Sequence, residues 1–317
     1  MTQLRYLQRV AAAVLITLAL GMPHSLHAQT NYHQIAQLRW YGANTAATIP
    51  VAANPTSLAF DGSSIWVGGN GTLSKISASD GSILLTLTLG VLNVGSLAFD
   101  GSNIWAGAPY NYSVAKIRAS DGALLGMFPV GDTPSAVVFD GTYIWVSNML
   151  SNNVMKLRTD TGAVVATYPV TEPTCMAYDG SNMWVVTNAW SLVNKLRGSD
   201  GTNLGMFSVG HNPDSMAFDG VNMWIANGQD HNVTRLRASD GMQLGTIDAG
   251  IGPVGIAFDG VYMWVTNQQS NTVTKLRVQK NGVWTQTFPT QPTPGGIAFD
   301  GANMWIVNPF AGTVSKM

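Results

Sequence analysis

The 317-residue sequence has little charge, and neither sign dominates. Lysine, arginine, aspartate and glutamate make up 10% of the residues, against about 25% in typical soluble domains, and the formal net charge is −1. No segment concentrates lysine and arginine into a stripe that would track a phosphate backbone. We therefore expect no nucleic-acid partner.

Long hydrophobic runs are also missing. The longest, Val10–Leu20, has eleven residues, whereas a helix that crosses a membrane needs about 20. Arg5 and Arg9 precede this run, Gly21-Met22-Pro23 interrupts it, and Ala28 offers a small residue for cleavage. A membrane anchor is the alternative, but the pattern favours a secretory signal peptide over residues 1–28. We expect an exported protein, periplasmic or extracellular, that is not integral to the membrane.

Cys175 is the only cysteine, which excludes an intramolecular disulfide. One interpretation makes its thiol a nucleophile. The repeats described below favour a structural role, because the equivalent position in the other copies always holds a small residue. These residues are Ser57, Ser96, Ala136, Ser215, Gly255 and Gly296.

What the chain does have is one unit repeated seven times. The triplet Phe-Asp-Gly, or Tyr-Asp-Gly in the fourth copy, recurs at steps of 39 to 41 residues, and a tryptophan follows each copy at a fixed short distance. A period near 40 residues is typical of propellers and solenoids. The repeated aspartates are Asp61, Asp100, Asp140, Asp179, Asp219, Asp259 and Asp300.

Each unit contains four short apolar runs separated by Asp-Gly, Asn and Pro, which indicates four antiparallel strands. We predict an all-β, seven-bladed β-propeller over residues 45–317, after an N-terminal extension at 29–44. The seventh unit lacks a fourth strand, and Thr45–Val51 resembles one, so we expect it to close the ring. Ile35–Arg39 also resembles a third strand and could compete for that blade. We expect a monomer.

The run Trp264-Val265-Thr266-Asn267, echoed at 145–148, 224–227 and 305–308, resembles the YVTN-type bacterial β-propellers. The resemblance covers about residues 45–317. It implies the propeller fold and export, and relatives of this style include surface-layer and periplasmic binding proteins, lactonase-like propellers and, more distantly, the streptogramin (virginiamycin B) lyases. No Trp-Asp pair ends a strand, so the WD-repeat alternative fails.

Removing the charges that the repeat explains leaves five of the seventeen acidic residues: Asp132, Glu172, Asp214, Asp230 and Asp248. Several of these fall near histidines in loops of the fourth and fifth blades, at the end of the ring opposite the Asp-Gly turns. Such side chains could bind a divalent cation or perform acid–base chemistry, although polar residues also collect in exposed loops. The candidate binding residues are Glu172, Trp190, His211, Asp214, Asp230 and His231.

Two further sets lie at the same end. Asparagines that end the second strands are expected to satisfy backbone groups at the loop entrance: Asn148, Asn188, Asn227, Asn267 and Asn308. Tyr110, Tyr112 and Phe310 could hold a peptide or a sugar, or could simply be exposed. The repeated lysines and arginines are expected to pair with turn aspartates, and a basic ring that grips an anion is the less favoured interpretation.

Known catalytic patterns fit poorly. The lyase resemblance implies a magnesium-dependent elimination with His and Glu close together in a late blade, but Glu172 is the only glutamate and no histidine follows His231. No Gly-x-Ser-x-Gly elbow and no closely spaced zinc ligands occur. A calcium-dependent lactonase would need several acids around the channel.

We therefore expect a binding or scaffold module, without catalysis and with no certain cofactor, that takes a protein, peptide or glycan partner. The alternative is a lyase or lactonase with one divalent cation, Mg²⁺ or Ca²⁺, held by Glu172, His211 and His231. A structural envelope protein without a single pocket is a third possibility.

Overall fold

The computed structural model describes residues 47–51 and 54–317. The predicted signal peptide, the N-terminal extension and the competing strand Ile35–Arg39 lie outside these residues. No helix in the described ranges is long and apolar enough to cross a membrane.

The described residues form antiparallel sheets that follow the repeat unit by unit. The N-terminal strand and the first three blades contain β1 (Ala47–Pro50); β2 (Ser57–Phe60), β3 (Ser64–Ser77) and β4 (Ile83–Asn93); β5 (Ser96–Phe99), β6 (Asn103–Ala108), β7 (Ser113–Arg118) and β8 (Leu124–Pro129); β9 (Pro134–Phe139), β10 (Tyr143–Asn148), β11 (Asn153–Arg158) and β12 (Val164–Pro169).

The fourth to seventh blades contain β13 (Pro173–Tyr178), β14 (Asn182–Thr187), β15 (Leu192–Arg197) and β16 (Asn203–Ser208); β17 (Pro213–Phe218), β18 (Asn222–Asn227), β19 (Asn232–Arg237) and β20 (Gln243–Asp248); β21 (Pro253–Phe258), β22 (Met263–Asn267), β23 (Thr272–Gln279) and β24 (Gly282–Pro289); β25 (Ile297–Phe299), β26 (Met304–Asn308) and β27 (Thr313–Lys316). Two 3₁₀ turns, Pro109–Asn111 and Asn188–Trp190, interrupt loops.

The first strand of each blade contacts the first strands of its two neighbours, and β2 contacts β25, so the seven sheets form a closed ring. This confirms the predicted seven-bladed propeller. In the seventh sheet β1 lies outermost and pairs antiparallel with β27, with Ala47 opposite Lys316 and Pro50 opposite Thr313. Residues from the two ends of the described chain therefore share one blade.

Six sheets have four strands, and the first departs from the prediction of four separate strands. There β3 covers both the second and third strand segments, Ser64–Ser77, without an intervening loop. The other blades use a loop at this point, whereas the first has Gly69-Asn70-Gly71, and Gly71 takes a φ of 69°. Glycine adopts this left-handed backbone readily, which allows the tight reversal.

The repeated aspartate and tryptophan are bonded to each other within each blade. One carboxylate oxygen accepts backbone N–H groups two and three residues on, as in Ser63 and Ser64 beside Asp61, and the other accepts the indole N–H of the tryptophan. The indole bonds measure 2.6 to 2.8 Å in all seven copies. Five of the seven tryptophans have no exposed surface, so the aspartate satisfies a buried donor.

The repeated bases only partly follow the expected pairing. Arg118, Arg158, Arg197 and Arg237 form ion pairs with turn aspartates, as predicted. Lys75 and Lys156 also lie within ion-pair distance of the turn aspartates of their own blades, at 3.4 and 3.9 Å. In addition, five of the six lysines donate to a backbone carbonyl of the next blade, as Lys156 does to Gly198 O at 2.6 Å, and all six lie over the tryptophan rings. These lysine bonds therefore join neighbouring blades.

Candidate functional site

The two ends of the ring differ in construction. The turn face carries the Asp-Gly turns between first and second strands and the short turns between third and fourth strands. The loop face carries the longer connections, between second and third strands and between blades. All six predicted site residues belong to connections or strand ends of the loop face in the fourth and fifth blades.

His211 and Asp230 form a bonded pair on this face. Asp230 accepts the backbone N–H of His211 at 2.9 Å, and its other oxygen lies 3.0 Å from His211 Nδ1. The backbone bond, followed by the imidazole contact, holds the pKa of Asp230 below its usual value. Ser151 and Ser270 accept the corresponding backbone N–H groups in the third and sixth blades, so the repeat explains part of Asp230's role.

His231 also occupies a position with a structural role. Its φ is 58°, and its Nδ1 lies 3.2 Å from the backbone N of Gly252 in the next blade and 3.1 Å from Gly228 O. Asn152 and Asn271 hold the same left-handed position and accept the matching backbone N–H groups through their Oδ1 atoms. The imidazole thus replaces an asparagine that joins consecutive blades.

Glu172 lies in the connection through which the chain enters the fourth blade. Its φ is 42°, and its backbone N–H donates to Asn152 Oδ1 at 2.9 Å. Within residues 47–51 and 54–317 its exposed carboxylate makes no hydrogen bond or ion pair. Glu172 is therefore available to solvent or to a partner.

Asp214 is the predicted residue that the repeat explains least. It lies at a bulge in β17, the innermost strand of the fifth blade, between Pro213, opposite Asn227, and Ser215, opposite Ala226. Burial raises the pKa of its carboxyl group to about 6, and Asn212 Nδ2 donates to Oδ2 at 2.8 Å. The equivalent positions hold no other acid: Thr56, Gly95, Ser135, Thr174, Val254 and Gly295.

The backbone of the neighbouring loop leaves room for the Asp214 carboxylate. A Cβ atom added to Gly228 would lie 2.5 Å from Asp214 Oδ2. In the equivalent bulge of the third blade, the Ser135 hydroxyl donates to the carbonyl of Pro173 in the next blade at 2.9 Å. A hydroxyl donor at this position therefore suits the packing between blades, whereas an ionised carboxylate cannot donate.

The surroundings of Cys175 suit a structural role better than a nucleophilic one. Cys175 packs against the buried cluster between the fourth and fifth blades that contains Met216 and Trp184. Burial raises the pKa of its thiol to about 12, so the nucleophilic thiolate is scarce at neutral pH.

Two of the strand-end asparagines act on the backbone as predicted. Asn227 and Asn267 accept the backbone N–H groups of Gly210 and Gly250. Asn148 and Asn308 instead donate to side chains, and their buried Oδ1 atoms have no hydrogen-bond partner among the described residues.

Asn188 does not belong to this set, because β14 ends at Thr187 and Asn188 begins a 3₁₀ turn. In the other blades of this set the asparagine stands three residues after the repeated tryptophan, and the residue three positions after Trp184 is Thr187. The sequence therefore held the signal that places Thr187, and not Asn188, at this position.

The six candidates do not form one ion site. In the described ranges 47–51 and 54–317, no three His, Cys, Asp or Glu side chains are grouped so that they could hold a metal ion. His211 is directed at Asp230 and His231 at backbone of the sixth-blade entry. The arrangement on this face is a bonded pair, a separate histidine and two separate carboxyl groups.

Large apolar side chains are the other prominent feature of the loop face. Trp190 is 66% exposed in the second-to-third-strand loop of its blade, and large apolar residues of the equivalent loops in other blades are 54% to 84% exposed. Ile251, 51% exposed, lies in the connection between the fifth and sixth blades on the same face. We call this set the apolar rim: Tyr110, Tyr112, Leu150, Trp190, Ile251 and Phe310. Leu150 and Ile251 were missed from the sequence, although Leu150 aligns with Tyr110 and Phe310 in the repeat.

No protein-family model and no curated protein matches this sequence. Solved structures do. A catalytically inactive virginiamycin B lyase from Staphylococcus aureus, in a structure with quinupristin, superposes with a TM-score of 0.73 at 18% identity, over 86% of this chain and 98% of that one. A streptogramin B lyase gives 0.72 at 16% identity over 86% and 96%. The hydrazine synthase of Kuenenia stuttgartiensis gives 0.73 at 16% identity over 87% and 98%.

These likenesses show the fold alone. A virginiamycin B lyase and a hydrazine synthase match this chain with the same TM-score, 0.73, and neither of these two exceeds 18% identity. Function has to be argued from the side chains of the chain itself.

Proposed function

We propose that the protein is an exported binding module whose loop face takes a macromolecular partner. The apolar rim carries this proposal. Exposed tyrosine, tryptophan and phenylalanine side chains from several blades stand at one end of the ring, and Tyr and Trp dominate the binding energy of protein interfaces. Single exposed apolar residues need no explanation, but six at the same end of a propeller form a surface suited to contact.

A protein or peptide is the partner that suits the rim best among the protein, peptide and glycan classes. Leu150 and Ile251 are aliphatic side chains, 59% and 51% exposed, and stand on the same face as the aromatic rings. Aliphatic groups bury well against other apolar side chains and offer little to a sugar. The uncharged rim contributes no electrostatic steering, so we expect association rates in the ordinary range of about 10⁵–10⁷ M⁻¹s⁻¹.

The lyase or lactonase alternative has less support. It requires Glu172, His211 and His231 to meet around one divalent ion, whereas these residues are held separately by backbone contacts of three different blade junctions. The lyase structures share the fold with this chain at 16–18% identity. Membership of the YVTN-type propellers and export through residues 1–28 remain parts of the proposal that rest on the sequence.

The test is a binding selection with the mature chain from Gln29. A displayed random-peptide library and a glycan array are each screened against the wild type, the double variant Tyr110→Ala/Trp190→Ala and the control Met206→Ala. Met206 is 62% exposed on the outermost strand β16, close to the 66% of Trp190, so it controls for loss of exposed apolar surface.

We expect selected peptides to bind the wild type and the Met206 variant equally, and the double rim variant at least about tenfold more weakly. Equal binding to all three proteins would contradict the proposal. Enrichment of glycans without peptides would overturn the preference for a protein partner.

A further inference from the structure

Five of the six third-strand lysines follow a simple rule. Each of the five reaches past its own tryptophan and donates to a carbonyl just after the third strand of the next blade. The sixth, Lys275, lies over the Tyr262 and Trp264 rings and makes no such bond in the described chain. The bonds measure 2.6 to 2.9 Å and join Lys75 to Ala119, Lys116 to Thr159, Lys156 to Gly198, Lys195 to Ala238 and Lys316 to Ala78.

Arg235 in the fifth blade breaks this rule. Its guanidinium carbon lies 5.5 Å from the Trp224 ring centroid, but its Nε is buried and has no hydrogen-bond partner in the described chain. The acceptor expected from the repeat is the carbonyl of Val278. In the sixth blade the hairpin is longer, and Val278 pairs with Val283 inside the β23–β24 ladder instead of lying in a turn.

Arg277 breaks a second rule at the same gap. Its counterparts in the second to fifth blades form ion pairs with an aspartate of the following turn. The sixth blade has Lys280-Asn281-Gly282 there, without an acid. Arg277 contacts the Tyr262 ring at 5.7 Å, and neither it nor Arg235 forms an ion pair within residues 47–51 and 54–317.

Both arginines line one cavity between the fifth and sixth blades, on the turn face. Its volume is about 270 Å³, and Phe258, Val261 and Met263 supply apolar wall. The one carboxylate in the lining, Asp219, already accepts the Trp224 indole N–H at 2.6 Å and two backbone N–H groups. Two guanidinium groups against one satisfied carboxylate leave the lining with a net positive charge.

We propose that this cavity binds a small organic carboxylate with an apolar body. Arginine presents a planar fork that matches a carboxylate, and Arg235 and Arg277 have no competing acid. The aromatic and aliphatic wall accommodates the rest of the molecule. At the ~30 Å³ that one water molecule occupies, the cavity has room for on the order of ten non-hydrogen atoms.

The neighbouring gap provides a matched control. A cavity of about 420 Å³ lies between the fourth and fifth blades and includes Lys195 and Arg237. Lys195 already donates to the carbonyls of Ala238 and Ser239, and Arg237 already pairs with Asp240. With both cations engaged, this second cavity is not expected to bind the carboxylate.

The experiment is titration calorimetry of the mature chain with phenylacetate, its uncharged amide and inorganic phosphate. Each compound is added to about 10 mM, so that dissociation constants in the millimolar range can be measured. We expect phenylacetate to bind and the other two to bind at least about tenfold more weakly. Arg235→Lys, which restores the residue of the other blades, and Arg277→Ala should each weaken binding at least about tenfold. Lys195→Ala and Arg237→Ala should leave it unchanged.

No binding of phenylacetate to the wild type would overturn the proposal. So would equal binding of the amide, equal binding of phosphate, or unchanged binding in both the Arg235 and Arg277 variants. Arg277 is exposed, so its alanine variant is expected to fold, and thermal unfolding of every variant checks this directly. The loop-face proposal is independent of these outcomes because the two sites lie at opposite ends of the ring.

Discussion

The indole nitrogen of Trp145 donates to the carboxylate of Asp140 at 2.7 Å, and the ammonium group of Lys156 lies 4.9 Å from the centre of the same indole. Lys156 also contacts Asp140 at 3.9 Å and donates to Gly198 O in the next blade. One turn aspartate thus links a hairpin, a buried tryptophan and a contact between blades. The bond between aspartate and indole recurs in all seven blades and explains why the two residues repeat together.

Breaking this unit should destabilise the propeller strongly. Asp140→Ala leaves the buried indole N–H without an acceptor and removes the carboxylate beside Lys156, and we expect a loss of about 2–4 kcal/mol in unfolding free energy. Trp145→Phe removes the donor and part of the ring, and a double-mutant cycle with Asp140→Ala should give a coupling of about 1–3 kcal/mol. Urea unfolding monitored by circular dichroism measures both. Additive single effects would show that the bond contributes nothing.

Asp214 should make stability depend on pH. Its folded-state pKa of about 6 lies above the usual 3.8, so the folded protein binds this proton more tightly than the unfolded chain does. The cost of ionising Asp214 is absent below about pH 4, grows as pH rises towards 6 and is fully present above it.

Asp214→Asn removes this cost. Allowing for the partial exposure of the group, we expect the variant to be about 1–2 kcal/mol more stable than the wild type at pH 8 and equally stable at pH 4. Chemical unfolding at the two pH values measures the difference. A gain that is the same at both would mean that ionisation of Asp214 is not its cause.

Much of the fold could be predicted from the sequence, because a period of 40 residues with a fixed Asp-to-Trp spacing admits few architectures. The indole–carboxylate bond was missed, although that spacing, five residues in all seven copies, was the available signal. The lysine bonds could not be found in the same way, since each joins two different blades: four join residues 42 to 44 positions apart, and the bond from Lys316 to Ala78 joins residues 238 positions apart.

The candidate site is harder to predict, because an acidic or histidine side chain in a loop can hold a backbone group in the same way as the neutral residue of another blade. Asp230 and His231 differ in type from Ser151 and Asn152, yet they accept the same backbone N–H groups. At such positions the local backbone geometry requires a side chain that can accept an N–H group. A count of charged residues does not reveal that requirement. Only a residue-by-residue alignment of the loops separates Asp214 from the others.

His231 offers a direct test of that point. Asparagine is the residue of the third and sixth blades at this left-handed position, so His231→Asn should keep the bond to the backbone N–H of Gly252 and change unfolding free energy by less than about 0.5 kcal/mol. His231→Ala loses the acceptor and should cost about 1–2 kcal/mol. Equal losses in the two variants would assign His231 a role other than this bond.

Cys175 should behave as an inert thiol. Because its thiol has a pKa of about 12 and packs against the cluster between the fourth and fifth blades, Cys175 of the native protein should resist iodoacetamide at pH 8, and Cys175 of the denatured protein should react readily. Mass spectrometry after alkylation measures both rates. Rapid modification of the native protein would favour the nucleophilic interpretation instead.

The loop face is the proposed binding surface, and hydrogen exchange with and without a selected peptide is the measurement that tests this claim. We predict slower exchange in the loops at 109–112, 149–152 and 188–191, with the turns at 61–64 and 140–143 unchanged. Protection confined to the turn face, or none in the three loops despite saturating peptide, would contradict the claim.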